Sequence, residues 1–379
     1  MFAAGSQTQL DNAYTQLNKH LTVKDLGPMR RYLGLEIQYD EENGVFFIGQ
    51  ESYAQKILGE FKFSDAASAP TPMLDSENWD RDDSPLLDDK AKEKYESAVG
   101  MLLYLMHGSR PDISYPVIKL SQYSSCPRQL HWDGVKRIFR YIKGTIHHAL
   151  CLGNLPASKD KVASTDLCAY FDSAHADNAN KKSTCGYIFL LYSGIVSWAT
   201  RVQKTIALSS PEAEYMAGTE AVREAVWIKA LTDAIFQPEY SSFVVQWPIE
   251  LRGDNQGSLA LANIPQFHQR TKHLALRQRF ISDMVDEGLI RVQYVPTADM
   301  LADSLTKALC RDKHNDHWNR FHLCTTSSVT TTTQNTLLLS THDDALTKKR
   351  KWSCSSCNNL FRSPEVLHLH HLRKKGCVP

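Results

Sequence analysis

The stretch Ala207-Leu208-Ser209-Ser210-Pro211-Glu212-Ala213-Glu214-Tyr215 opens a long helix predicted over residues 211–236. Ser210 is a capping residue, and Pro211 at the first helical position loses nothing by lacking an N–H. Glu212 and Glu214 are two apart, so they face different sides of the helix. Ala217, Gly218, Ala221 and Ala225 follow Glu214 at helical spacing. That stripe of small residues lets the helix lie close against a sheet, so Glu214 points from the packed face. Glu212 shares its side with Met216, Thr219 and Arg223 and is read as facing outward. A carboxylate on a packed face costs stability unless it is paired or coordinates a metal. The helix dipole favours any Glu in the first turn, which accounts for Glu212 and not for Glu214.

Working outward, strands are predicted over 165–172, 186–191 and 195–199 before this helix, and over 248–252 and 289–295 after it. A short helix follows Asn255, another spans 273–287 up to Gly288, and a closing helix spans 299–309. Strands mixed with helices in this order make an α/β sheet domain. Upstream, a helix over 10–21 precedes two strands, 31–39 and 45–50, around the hairpin signal Glu42-Asn43-Gly44. A helix over 52–61, a loop over 66–84 rich in Pro, Ser and Asp, and helices over 91–107, 111–124 and 129–143 complete an α+β unit. The apolar stripes of those helices read as core packing.

Composition sets outer limits. The 379 residues suffice for two or three domains, and 42% hydrophobic with 22% charged residues is globular rather than disordered or fibrous. Lys and Arg total 43 against 42 Asp and Glu, so nucleic-acid affinity must come from local patches and not from bulk charge. The nine cysteines are mostly scattered singly and do not read as a secreted disulfide framework. No secretory signal or membrane-length apolar run is recognised. The expectation is a soluble chain of a reducing compartment, nuclear or cytoplasmic, with no membrane association.

Acidic residues gather at predicted strand ends: Asp172 closes the first strand of the sheet domain and Asp254 the fourth. Carboxyl ends of strands are where ligands collect in open α/β sheets. A lone Asp there is commonly a turn former or helix cap, so two such residues do not decide the matter. Glu214 adds a third carboxylate and Asp303, in Met300-Leu301-Ala302-Asp303-Ser304-Leu305-Thr306-Lys307, a fourth. Four converging carboxylates suit two hard divalent cations, which together activate water and stabilise a leaving oxygen in phosphodiester hydrolysis.

The segments Lys182-Ser183-Thr184-Cys185-Gly186-Tyr187-Ile188-Phe189, Val196-Ser197-Trp198, Ala207 to Tyr215, Asp254-Asn255-Gln256, Gln269-Arg270-Thr271-Lys272-His273 and Ala302-Asp303-Ser304-Leu305-Thr306-Lys307 closely resemble the ribonuclease H domain of Ty1/copia-type retrotransposon polyproteins, in order and spacing. The resemblance covers residues 164–310. It implies a ribonuclease H-like fold with a mixed sheet, and metal-binding carboxylates at Asp172, Glu214, Asp254 and Asp303. It also implies two Mg²⁺ (or Mn²⁺) ions and hydrolysis of the RNA strand of an RNA–DNA hybrid. The helix-face reading selects Glu214 over Glu212 separately. Lys204, Arg270 and Lys272 are candidates to approach phosphates, and His273 is read as a positioning residue or a helix-start hydrogen bond. A hybrid would be recognised largely by shape and 2′-hydroxyls.

Lys24-Asp25-Leu26-Gly27, Tyr32-Leu33-Gly34-Leu35-Glu36-Ile37, Thr71-Pro72-Met73, Arg110-Pro111-Asp112-Ile113 and Arg140-Tyr141-Ile142-Lys143-Gly144-Thr145 look like the reverse-transcriptase region that follows the polymerase active site. Residues 1–150 are therefore expected to be a post-catalytic reverse-transcriptase remnant without the family's Tyr-x-Asp-Asp motif, and no polymerase activity is expected.

Residues 325–347, twelve of them Thr or Ser, read as a linker. Residues 348–379 carry eight Lys or Arg against one Glu. Cys354 and Cys357, then His370 (or His368 or His371) and Cys377, have the ligand types of a tetrahedral Zn²⁺ site, and the segment resembles a ββα zinc finger. The run Lys348-Lys349-Arg350-Lys351 reads as a nuclear import signal, a phosphate-contacting patch or a solvated linker end. The competing functional reading is a catalytically silent retrotransposon relic that binds nucleic acid through this tail. No protein partner is indicated.

Overall fold

The computed structural model describes residues 7–24, 27–81, 83–153, 167–191, 194–235, 247–255, 280–325, 352–353 and 360–361. Met1–Thr326 form one compact unit and Ser327–Pro379 a second. Among the described residues, no helix is long and apolar enough to cross a membrane.

The first unit begins with α1 (Gln7–Asn18), then β1 (Arg31–Tyr32), β2 (Leu35–Asp40) and β3 (Val45–Gly49). The hairpin at Gly44 forms as expected, with Asp40 opposite Val45. The first predicted strand is instead folded into two: Leu33 (φ 48°) and Gly34 (φ 81°) turn β1 back on β2. Both central residues of that tight turn are left-handed, the twist that matches antiparallel strands. Leu33 gives no sequence warning of it, and its carbonyl accepts from the Tyr104 hydroxyl at 2.9 Å.

Helices α2 (Glu51–Glu60), α3 (Asp89–Gly108), α4 (Ser114–Ser121) and α5 (Gln129–Gly144) follow. Asp88 caps α3, accepting from the Ala91 N–H at 2.7 Å. Their apolar stripes meet in one core built on Ile57, Tyr95, Leu102, Leu105, Val117, Ile138 and Phe139. β4 (His148–Gly153) then pairs antiparallel with β3 on one side.

The second sheet holds β5 (Cys168–Ala174), β6 (Thr184–Leu191), β7 (Gly194–Val202), β8 (Ile249–Gly253) and β9 (Ile290–Tyr294), in the order β7-β6-β5-β8-β9. β6 runs antiparallel to its two neighbours, β5 and β7, whereas β5, β8 and β9 are parallel. The sheet is mixed, as the resemblance to a ribonuclease H-like α/β domain implies. α6 (Ser210–Ile235) packs on one face through Ala217, Ala221, Val222 and Ala225 against Ala169, Phe171 and Leu251. The helical stretch 280–286 joins the same core and ends at Gly288, whose φ of 69° suits glycine.

The opposite face is closed by two 3₁₀ turns, Thr297–Asp299 and Leu301–Leu305, and by α7 (Arg311–Arg320). The sequence reading of one α-helix over 299–309 is corrected here. All five residues from Leu301 to Leu305 are buried, so the segment has no solvent stripe for an α-helix to present. Beyond α7, β10 (Leu323–Thr325) pairs antiparallel with β4 and completes the first sheet, β1-β2-β3-β4-β10.

Cys151 is disulfide-bonded, whereas Cys126, Cys185 and Cys310 are thiols. In the second unit, β11 (Trp352–Ser353) and β12 (Leu360–Phe361) form a short antiparallel ladder. The linker over 325–347 and the basic run at 348–351 lie outside the described residues from residue 326 onward.

Candidate metal centre

Asp172 lies on β5 opposite Gly186 of β6. The strand runs on to Ala174, so Asp172 is inside it and not at its end, a correction to the sequence reading. Pairing with β8 stops at Tyr170, and the antiparallel ladder with β6 carries β5 two residues past the carboxylate. Asp254 follows β8 directly. Asp303 is carried by the second 3₁₀ turn and Glu214 by the first turn and a half of α6.

Two glycines allow this convergence. A Cβ on Gly186 would stand 2.7 Å from the Leu305 Cβ and 3.1 Å from the Thr306 methyl, so only glycine lets the 3₁₀ turn lie on the sheet beside Asp172. A Cβ on Gly218 would meet the Phe171 ring at 3.2 Å, so glycine lets α6 settle onto β5.

Carboxylate oxygens of Asp172, Asp254 and Asp303 all lie within 4.8 Å of one another. Asp172 and Asp303 are almost fully buried, at 2% and 1% exposure, and Asp254 is half-buried. Glu214 is buried too, and its Oε1 accepts from the Ser173 N–H at 3.1 Å and the Ser173 hydroxyl at 3.2 Å. Among the described residues its Oε2 has no hydrogen-bond partner. Burial first, and the nearby Asp172 charge second, push the Glu214 carboxyl pKa up to about 9. Burial also lifts Asp172 to about 6, opposed by the Lys307 ammonium.

Other side chains complete the cluster. The Thr306 hydroxyl donates to Asp172 Oδ2. Lys313 on α7 donates to Asp303 Oδ2 at 2.7 Å. Lys307 Nζ stands 2.7 Å from Asp303 Oδ1 and 3.9 Å from Asp172 Oδ2. Burial lowers the Lys307 pKa, but Asp172 and Asp303 outweigh it and the net shift is upward. Sequence reasoning quoted Thr306 and Lys307 within a motif and gave neither a role. It missed Ser173 and Lys313, for which spacing carries no signal.

The outward reading of Glu212 is corrected. Glu212 is buried, and its Oε2 accepts from the Leu208 N–H at 2.8 Å. Its own N–H donates to Ser209 Oγ at 3.3 Å, so Ser209 and not Ser210 caps α6. Lys204 is exposed. Arg270, Lys272 and His273 lie outside the described residues, as do Cys354, Cys357, His370, Cys377 and the alternatives His368 and His371.

No family model matches the chain. It is 33% identical over 314 residues to the retrovirus-related Pol polyprotein of transposon TNT 1-94 from Nicotiana tabacum, an alignment covering 81% of this chain and 22% of that protein. It is also 33% identical to a transposon Ty5-1 protein of Saccharomyces cerevisiae, over 59% of this chain and 70% of that one. The chain belongs to the Ty1/copia-type retrotransposon Pol family. It spans about a fifth of the length of the full Pol polyproteins it matches. Among solved structures, a ribonuclease H1 from Halobacterium salinarum aligns with 40% of this Pol-family chain and 98% of its own, at 21% identity and a TM-score of 0.27.

The site fits hard divalent cations. Its donors are carboxylate oxygens, the ligands Mg²⁺ and Mn²⁺ prefer. The buried Glu214 Oε2, without a hydrogen bond among the described residues, is an oxygen ligand that a cation or its water would satisfy.

Proposed function

We propose that this Pol-family chain hydrolyses the RNA strand of RNA–DNA hybrids in a Mg²⁺- or Mn²⁺-dependent reaction. The observation that carries the reading is the convergence of Asp172, Asp254 and Asp303 within 4.8 Å, on a mixed sheet, in a Pol-family chain. Asp172, Asp254, Asp303 and Glu214 would hold two ions. Two such ions, when bound, activate the attacking water and stabilise the leaving oxygen.

The chain's own residues do the rest. Thr306 fixes one oxygen of Asp172, and Ser173 fixes Glu214 Oε1, while Oε2 stays without a hydrogen bond among the described residues. These bonds hold the carboxylates in a single arrangement before a ligand arrives, which lowers the cost of binding. Asp254 is the more exposed member, so it is the carboxylate most open to a phosphodiester arriving from solvent. The lysines at 307 and 313 supply positive charge beside the cluster, which suits a polyanionic substrate.

The test is cleavage of a labelled RNA–DNA hybrid by the full chain in Mg²⁺. Asp172→Asn and Asp254→Asn are each expected to lower the rate at least about 100-fold with the fold retained, since metal stabilisation is worth several kcal/mol. Unchanged cleavage in either variant overturns the site. Absence of cleavage by the unaltered chain, in Mg²⁺ and in Mn²⁺, overturns the activity.

A further inference from the structure

We propose that the Lys307 ammonium is a tethered counter-cation of the acidic cluster, displaced when a divalent ion binds there. The inference rests on the metal reading of the preceding section and adds a competitor built into the chain.

Three observations carry it. First, Lys307 Nζ contacts Asp303 Oδ1 at 2.7 Å and reaches Asp172 Oδ2 at 3.9 Å, two of the three carboxylates that converge. Its charge also interacts with the third, Asp254. Lys313, by contrast, is bonded among the described residues to Asp303 Oδ2 alone. Lys307 is thus the described cation that bridges the cluster, and Lys313 lies to one side of it.

Second, the cluster needs such a charge. Asp172 and Asp303 are nearly fully buried, and buried carboxylates without counter-charge are strongly unfavourable. Third, Lys307 is built to leave. Its backbone N–H is held to the Asp303 carbonyl at 3.0 Å, which keeps the stem beside the cluster. Its side chain is 41% exposed, so the ammonium has a route to water, whereas Thr306 beside it is fully buried. A lysine is a single hydrated charge on a flexible stem, unlike the rigid fork of arginine. An ion on Asp303 Oδ1 would meet an ammonium 2.7 Å from the same oxygen, and like charges at that range repel.

The experiment titrates Mn²⁺ into the full chain without nucleic acid, reads free Mn²⁺ by electron paramagnetic resonance, and follows thermal unfolding in chelator. Lys307→Met is expected to bind Mn²⁺ about tenfold tighter or more, the effect of removing one close repulsive charge. It is also expected to unfold at lower temperature without metal and to recover with Mn²⁺. Lys307→Gln, neutral and polar, must give the same gain, which guards against a folding defect in one variant. Lys313→Met is expected to gain less.

Unchanged or weaker Mn²⁺ binding in both Lys307 variants, while Asp172→Asn still abolishes binding, overturns the displacement and leaves the metal site standing. An equal gain in Lys313→Met reports a general field effect and also overturns it. No Mn²⁺ binding by the unaltered chain or by either Lys307 variant removes both readings together.

Discussion

Glu214 concentrates the chemistry of the site in one side chain. Ser173 satisfies one of its oxygens and no described residue satisfies the other, while burial and Asp172 raise its pKa to about 9. In the metal-free protein at neutral pH the carboxyl is therefore protonated. An unfolded Glu releases its proton near pH 4.3. The folded state thus binds the extra proton between about pH 4 and 9, and stability falls as pH rises through that window. Asp172, raised to about 6, adds a loss of the same sign between about pH 4 and 6. With chelator present, the melting temperature of the unaltered chain is expected to fall more steeply from pH 5 to 9 than that of Glu214→Gln, whose amide cannot ionise. Saturating Mg²⁺ should flatten the slope of the unaltered chain, because the ion favours the charged form. Parallel melting curves for the two proteins across that range would show that Glu214 does not titrate in the fold.

The elements that place these residues were unequally legible. α6 announces itself through Pro211 and the run Ala217, Gly218, Ala221 and Ala225, although its cap was read one residue late, and from that stripe Glu214 could be assigned to the packed face. Glu212 could not be placed in the same way, because its burial comes from the preceding loop folding over it at Leu208, which helix periodicity does not describe. β4 pairs with strands roughly a hundred residues before it and 170 after it, and no local pattern encodes such pairing. α7 is polar almost throughout, and its buried side is made of His314, His317 and Trp318, so it carries no apolar stripe. The 3₁₀ turn that holds Asp303 was misread because an all-buried segment has no period. Its position depends on Gly186. Gly186→Ala is expected to drive a methyl into Leu305 and Thr306 and cost about 1–3 kcal/mol, the usual toll of overpacking. Because the turn must lift from β6, Mn²⁺ affinity should fall with it. Urea denaturation and the Mn²⁺ titration check the two halves, and an unaltered midpoint would mean that the turn yields freely.

At the scale of the whole first unit, residues 311–325 tie the two sheets together. His314 of α7 stands 3.1 Å from the Tyr141 hydroxyl of α5, and Tyr141 donates to Asp112 at 2.7 Å. Asp112 is in turn paired with Arg110 at 2.7 Å, both fully buried. Burial holds His314 down at about pKa 4, so it stays neutral in that network near pH 7. Trp318, Phe321 and Leu323 fill the core between the 3₁₀ turn and β4. Lys313, on the same helix, reaches into the candidate metal centre. The sequence motifs end near Lys307, yet this segment supports both the upstream helices and the site. A chain ending at Cys310 loses three large buried apolar side chains, each worth about 1.5–3 kcal/mol. It also leaves the polar groups of Tyr141 and Asp303 short of partners, at about 1–3 kcal/mol apiece. That total rivals the ~5–15 kcal/mol by which a domain is stable, so the shortened chain is expected to lose cooperative unfolding in urea. A chain ending at Thr326 keeps α7 and β10 and is expected to unfold at the midpoint of the full protein, because every contact named above lies within residues 1–325. Equal midpoints for the chains ending at Cys310 and Thr326 would show instead that the sheet domain and the upstream helices stand without the segment that joins them.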